Sequence, residues 1–206
     1  MDQADYNEIF DKLAFLGDLI VREASVMTEA VDYIQDSDII LRRISSLESD
    51  GDDIIHSLKR YYKDKKLAHN DHALFLMSLI SLAEDCTDVF EDLAMSFNSY
   101  NITSLREDVV PMLVAMETSA DAVSTLLVSL RAPDEIQMTQ RALIEINHNQ
   151  YEAMEMASAA LRNLFANEKD PIEVIRWKEI YVLAQLVFEK FEDLADRCED
   201  YLLFRA

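Results

Sequence analysis

Two pairs of acidic residues at helical spacing carry the strongest chemical suggestion in this 206-residue chain. Glu48 and Asp52 form one pair and Glu84 and Asp88 the other, each four residues apart. On a helix that spacing projects two carboxylates from one face, one turn apart. A short connection near residues 67–71 makes the two helices an antiparallel hairpin, which brings residues 48–52 level with 84–88. Four converging carboxylates repel one another unless a cation sits among them, and hard divalent metals or iron suit such oxygen-rich ligation. His56, one turn beyond Asp52, is placed to join them. Acids on a merely solvated helix face produce the same spacing, because 40 of the residues are Asp or Glu.

Other chemistry has little to work with. Two glycines cannot build a phosphate-cradling loop, and only four histidines (His56, His69, His72 and His148) are present to serve as bases. A di-iron carboxylate bundle needs Glu-x-x-His on two helices and two further acids. Glu145-Ile146-Asn147-His148 fits that pattern, and Asp53-Ile54-Ile55-His56 fits with aspartate in place of glutamate, with Asp18 and Glu117 or Asp121 to complete it. His148 between two asparagines reads as a polar face, and His69 and His72 as exposed residues of a turn.

The elements that would position these groups are helices. Only two glycines and three prolines occur, too few turn residues for a sheet protein. Apolar residues recur at spacings of three and four in six long stretches, for example Leu13, Gly17, Ile20, Ala24 and Met27 in the first and Trp177, Tyr181, Ala184, Phe188 and Phe191 in the last. Both glycines, Gly17 and Gly51, lie on such seams, where a missing side chain lets a neighbour approach. Asp170-Pro171-Ile172-Glu173, Ser104-Leu105-Arg106-Glu107 and Ala132-Pro133-Asp134-Glu135 read as helix starts, and Pro111 as a kink in the fourth helix.

Residues 82–94 reappear as 183–195 with seven of thirteen positions identical, at an offset of 101 (183 − 82). The expected architecture is therefore all-α: two tandem three-helix bundles, 1–102 and 103–206, related by internal duplication within a single domain 1–206. By that offset Glu84 corresponds to Gln185 and Asp88 to Glu189, while Glu48 and Asp52 fall opposite Gln150 and Met154. An amide is a weak ligand and a thioether the wrong one for hard cations. Any metal is thus expected in the N-terminal half only.

The formal net charge of −21 repels nucleic acid and anionic lipid, and favours cations or basic protein surfaces. No stretch reads as a signal peptide or a membrane span. Cys86 and Cys198 lie on apolar faces and read as buried free thiols, which places the protein in the cytoplasm.

Several strings resemble the PhoU-like family of bacterial phosphate-transport regulators. Ile44-Ser45-Ser46-Leu47-Glu48-Ser49-Asp50-Gly51-Asp52 looks like that family's Glu-x-x-x-Asp helix. Asn163-Leu164-Phe165, Ile175-Arg176-Trp177-Lys178-Glu179-Ile180-Tyr181 and Ala195-Asp196-Arg197-Cys198-Glu199-Asp200 are similar to its C-terminal half. The resemblance implies a non-enzymatic cytoplasmic regulator or accessory of inorganic phosphate transport. It would bind a membrane phosphate transporter or that transporter's regulator, with metal held in acidic motifs; a homo-oligomer is compatible with this. It leaves standing a di-iron enzyme and a purely structural helical adaptor as the other two readings.

Overall fold

The computed structural model describes residues 2–131 and 136–205, so the Ala132–Glu135 helix start expected from sequence lies outside the described residues. The described residues form six α-helices: α1 (Gln3–Tyr33), α2 (Ser37–Asp64), α3 (Asp71–Ser99), α4 (Val110–Ser129), α5 (Ile136–Asn167) and α6 (Pro171–Arg205). Single 3₁₀ turns, Ile34–Asp36 and Leu67–His69, join α1 to α2 and α2 to α3. No strand occurs among the described residues, so the expected all-α class holds.

Local chemistry sets the helix ends. At α1 the Asp2 carboxylate accepts the Asp5 N–H at 2.8 Å while the Asp5 carboxylate accepts the Asp2 N–H at 3.0 Å, a reciprocal capping box. Asn70 caps α3 through the Ala73 N–H at 2.9 Å. Asp170 caps α6 through the Ile172 N–H at 2.8 Å, as the sequence suggests, but Glu173 does not reciprocate: it bonds Arg176 at 2.7 Å. Glu168 instead accepts the N–H groups of Lys169 and Asp170.

Two expectations at the fourth helix are corrected. Ser104–Glu107 starts no helix but lies in the connector between α3 and α4. Pro111 kinks nothing, because it sits in the first turn of α4, where its missing N–H has no intrahelical partner to lose.

α1, α2 and α3 pack on one another, as do α4, α5 and α6, and the two sets meet where α1 lies on α4 and α3 on α6. α2 and α5 occupy the two outer flanks. One contiguous apolar core runs through all six helices. Across the α3–α6 contact the rings of Phe90 and Phe191 stand 6.0 Å apart, and Lys190 reaches Asp85 at 3.5 Å. Cys86 and Cys198 are buried free thiols.

α4 alone among the described helices is long and apolar enough to cross a membrane by length and composition, contrary to the expectation that no stretch would be. Its apolarity has a packing cause: it lies against α1, α5 and α6, so several of its sides face core.

The two glycines differ. A Cβ on Gly17 would stand 3.2 Å from the Cα of Ser124 on α4, so this glycine sets the closest approach of α1 to α4. At Gly51 the nearest atom would be the Thr87 hydroxyl at 3.5 Å, an ordinary contact. Gly51→Ala should therefore stabilise the fold by about 0.5–1 kcal/mol through helix propensity. Gly17→Ala should destabilise it by about 1 kcal/mol, because backbone cannot yield as a side-chain tip can. Urea unfolding of both variants checks the sign, and the same sign for both would contradict this packing.

Candidate functional site

The level pairing expected of α2 and α3 is present: Gly51, between Asp50 and Asp52, faces Thr87, between Cys86 and Asp88. Glu48, Asp52, Glu84 and Asp88 therefore stand within one another's electrostatic field. Partial burial, then the charges of Glu91, Asp52, Asp88 and Glu84, raises the Glu48 carboxyl above its ordinary value. Burial and Asp88 raise Glu84, against the nearby Lys59. Burial raises Asp88 as well, followed by Asp85, Asp52, Asp92 and Glu91.

The cluster extends to residues that were not singled out from sequence. Glu23, on α1, is fully buried and both of its carboxylate oxygens lack a hydrogen-bond partner. Burial pushes its carboxyl well above the ordinary range, and Glu48, Asp88 and Glu91 push in the same direction. Glu91, two turns beyond Glu84, accepts a 2.6 Å hydrogen bond from the Ser45 hydroxyl of α2. A signal for Glu23 was present in the chain, as an acid on the apolar seam Ile20, Ala24, Met27.

The carboxylates are neighbours without forming a cage. Among the described residues no group of three or more His, Cys, Asp or Glu side chains is gathered ready to hold a metal ion. His56 does not join them, since it is exposed and its Nδ1 bonds the Asp52 carbonyl oxygen of its own helix at 2.8 Å. In the other half the corresponding positions have a different chemistry. Gln185 donates from Nε2 to Glu189 at 2.7 Å, Gln150 is half-buried and Met154 is exposed.

The di-iron arrangement does not assemble. Asp53 and His56 are exposed on α2, and Glu145 and His148 on α5, at opposite flanks of the molecule. His72 is not the exposed turn residue expected: its Nε2 lies 2.8 Å from the Tyr201 hydroxyl, and its ring packs against Tyr6 and Phe204. The terminus of α6 folding over the start of α3 decides that placement.

The C-terminal strings that carried the resemblance have a structural task. Tyr181 donates its hydroxyl to Asp108, and Asn163 donates to the same carboxylate at 3.1 Å. Arg106 bonds Glu168 at 3.3 Å and lies 6.0 Å from the centre of the Trp177 ring. Together they tie the α3–α4 connector to the α5–α6 hairpin.

Six antiparallel helices around one core, with an acidic cluster on α1–α3, define an all-helical fold of the PhoU-like kind. The structure matches that of the phosphate transport system regulatory protein PhoU from Streptococcus pneumoniae with a TM-score of 0.75, over 97% of this chain and 95% of that one, at 14% identity. In sequence, 124 residues are 27% identical to the UPF0111 protein YkaA of Bacillus subtilis (strain 168). That match takes in 60% of this chain and only 57% of the relative, so the chain aligns with little more than half of the relative's length. No protein-family model matches the sequence. The likeness to PhoU proteins read from the residues thus holds at the level of the fold.

Proposed function

We propose that the protein is a non-enzymatic cytoplasmic accessory or regulator of inorganic phosphate transport that works by binding a membrane phosphate transporter or its cytoplasmic regulator. The observation that carries this reading is the likeness of the whole fold to a phosphate transport system regulatory protein, over 97% of the chain. Electrostatics supports the mode of action: a chain of net charge −21 complements the Lys/Arg-rich cytoplasmic loops of membrane proteins. We read residues 1–206 as a single domain of two duplicated repeats, 1–102 and 103–206. The repeated string supports this, as does the matched packing, in which α1 and α4, α2 and α5, and α3 and α6 take equivalent places.

The reading includes a cation in the N-terminal half, held by Glu48, Asp52, Glu84 and Asp88. What supports it is the mutual repulsion of these groups and the orphaned Glu23 carboxylate behind them, both of which a divalent cation or an iron cluster would relieve. Binding would draw the carboxylates together, as no cage is preformed. Calorimetric titration with manganese should show binding that Glu84→Gln weakens at least tenfold, whereas Gln185→Ala leaves it unchanged. Equal loss in both variants would put the site elsewhere.

The function itself is tested by pull-down from detergent-solubilised membranes at low and high salt, with phosphate uptake measured in a deletion strain. Contacts of this kind weaken with salt, since screening acts within about 10 Å at 0.1 M. Unchanged uptake together with no membrane-protein partner at low salt would leave the structural adaptor as the better account.

A further inference from the structure

We propose that the cleft between the α3–α4 connector and the start of α6 binds a phosphate-class oxyanion, either free inorganic phosphate or the phosphate of a small monoester. The cleft encloses about 290 Å³, room for such a group and a short organic tail. The connector contributes Thr103, Ser104, Leu105 and Arg106 to its walls, and α6 contributes Glu173, Arg176 and Trp177.

A surplus of hydrogen-bond donors marks this place. Thr103, Ser104 and Leu105 make no hydrogen bond to any described residue, through backbone or side chain. Three consecutive N–H groups and two hydroxyls are thus left for solvent or a ligand, and runs of free N–H groups are how loops hold anions. Arg106 stands beside them. Its Nε is buried without an acceptor, since Asp108 at 3.7 Å lies beyond hydrogen-bond reach. The long contact to Glu168, at 3.3 Å, and the Trp177 ring, 6.0 Å away, hold the guanidinium in position. Arg176 brings a second guanidinium, bonded to Glu173 of its own helix at 2.7 Å in a half-exposed pair of the kind that yields readily.

Charge and valence choose the occupant. A chain of net charge −21 offers a small anion no general attraction, so an anion held here is held by these groups. Two guanidinium groups and one carboxylate, Glu173, line the cleft, whereas Glu168 and Asp108 approach Arg106 without forming its walls. A carboxylate ligand, with two oxygens, would leave most of these donors unused, and a phosphate has four. Glu173 adds selectivity. Its Oε1 takes the Arg176 bond while its Oε2 has no partner, so it can accept the proton that hydrogen phosphate carries and sulfate lacks. The site does not depend on the phosphate-transport reading, which rests on partner binding and uptake.

Trp177 is the chain's only tryptophan, so its fluorescence reports on the cleft. Titration of the full chain with inorganic phosphate, and separately with glycerol phosphate, should give a saturable change, with calorimetry in parallel so that a silent indole is not mistaken for an empty cleft. The tighter of the two compounds names the source of the group. Sulfate should bind about tenfold more weakly, and Arg176→Gln should weaken phosphate by about tenfold or more, the scale of one hydrogen bond to a charged group. The melting temperature of that variant without ligand should stay unchanged. Arg162→Gln, at an exposed arginine of α5 outside the cleft, should alter nothing. Glu173→Gln, whose amide can donate to sulfate, should erase the preference for phosphate, which loss of a merely structural pair would not do. No saturable binding of either phosphate compound by both methods, sulfate equal to phosphate in the wild-type chain, or equal losses in Arg162→Gln and Arg176→Gln would each overturn the proposal.

Discussion

Replacing Glu23 by glutamine should make the protein more stable at neutral pH, by on the order of 2 kcal/mol, the scale of penalty attached to a buried polar group without a partner. Its carboxylate is fully buried, both oxygens are unpartnered, and the surrounding charges are those of Glu48, Asp88 and Glu91, opposed only weakly by Arg22. Because the folded value lies well above the ordinary 4.5, the native state holds a proton that the unfolded chain releases. Stability therefore falls as pH rises from about 4.5 through the folded value. Glu48, Glu84 and Asp88 are shifted the same way and add to this slope.

Asp5 acts oppositely. The Tyr61 hydroxyl first, then the Asp2 N–H and Lys65, hold its carboxyl well below the ordinary 3.8, so its contribution is complete above that value and lost as pH falls below it. The wild-type protein should thus be most stable in mildly acidic solution, between the two windows. Glu23→Gln should flatten the acid-favoured limb and leave the low-pH limb in place. Chemical denaturation from pH 2 to 8 provides the check. Identical profiles for the two proteins would mean that Glu23 is hydrated and not buried among carboxylates.

The second large effect is expected at Phe191. Its ring is fully buried between α3 and α6, with Phe90 at 6.0 Å and Phe188 at 6.4 Å. Truncation to alanine should cost about 3–5 kcal/mol, the range for a buried aromatic that leaves a cavity. At about 2–4 °C per kcal/mol for a chain of this size, the melting temperature should fall by roughly 6–20 °C. One core runs through all six helices, so the loss should appear as a single cooperative transition at lower temperature. Two separated transitions, with that of α1–α3 unmoved, would show the halves to be independent units and would contradict the reading of 1–206 as one domain.

Much of this architecture was legible in the chain because its causes are local. The seam of α6, from Trp177 to Cys198, is buried as its three-and-four spacing requires. The Asp170 cap forms because a carboxylate one residue before Pro171 can reach only the first free N–H groups of the helix. The level pairing of residue 51 with residue 87 follows from a short hairpin.

What stayed out of reach depends on which surface comes to lie opposite. Periodicity states that Ile144, Tyr151 and Phe165 share a face of α5, and cannot state that this face is left in solvent. The same spacing gathers Glu48 with Asp52, but Glu23 arrives from α1, 25 positions before Glu48, and only bundle packing sets it behind the acidic pairs. Pro111 reads equally as a kink or a start until the end of the α3–α4 connector is fixed. His72 is polar by type, yet the last turns of α6 enclose it among aromatic rings. Spacing and caps along the chain specify the helices, their seams and their order. What each seam faces is settled only when the helices pack, because burial of a side chain is a property of two surfaces and a sequence displays them one at a time.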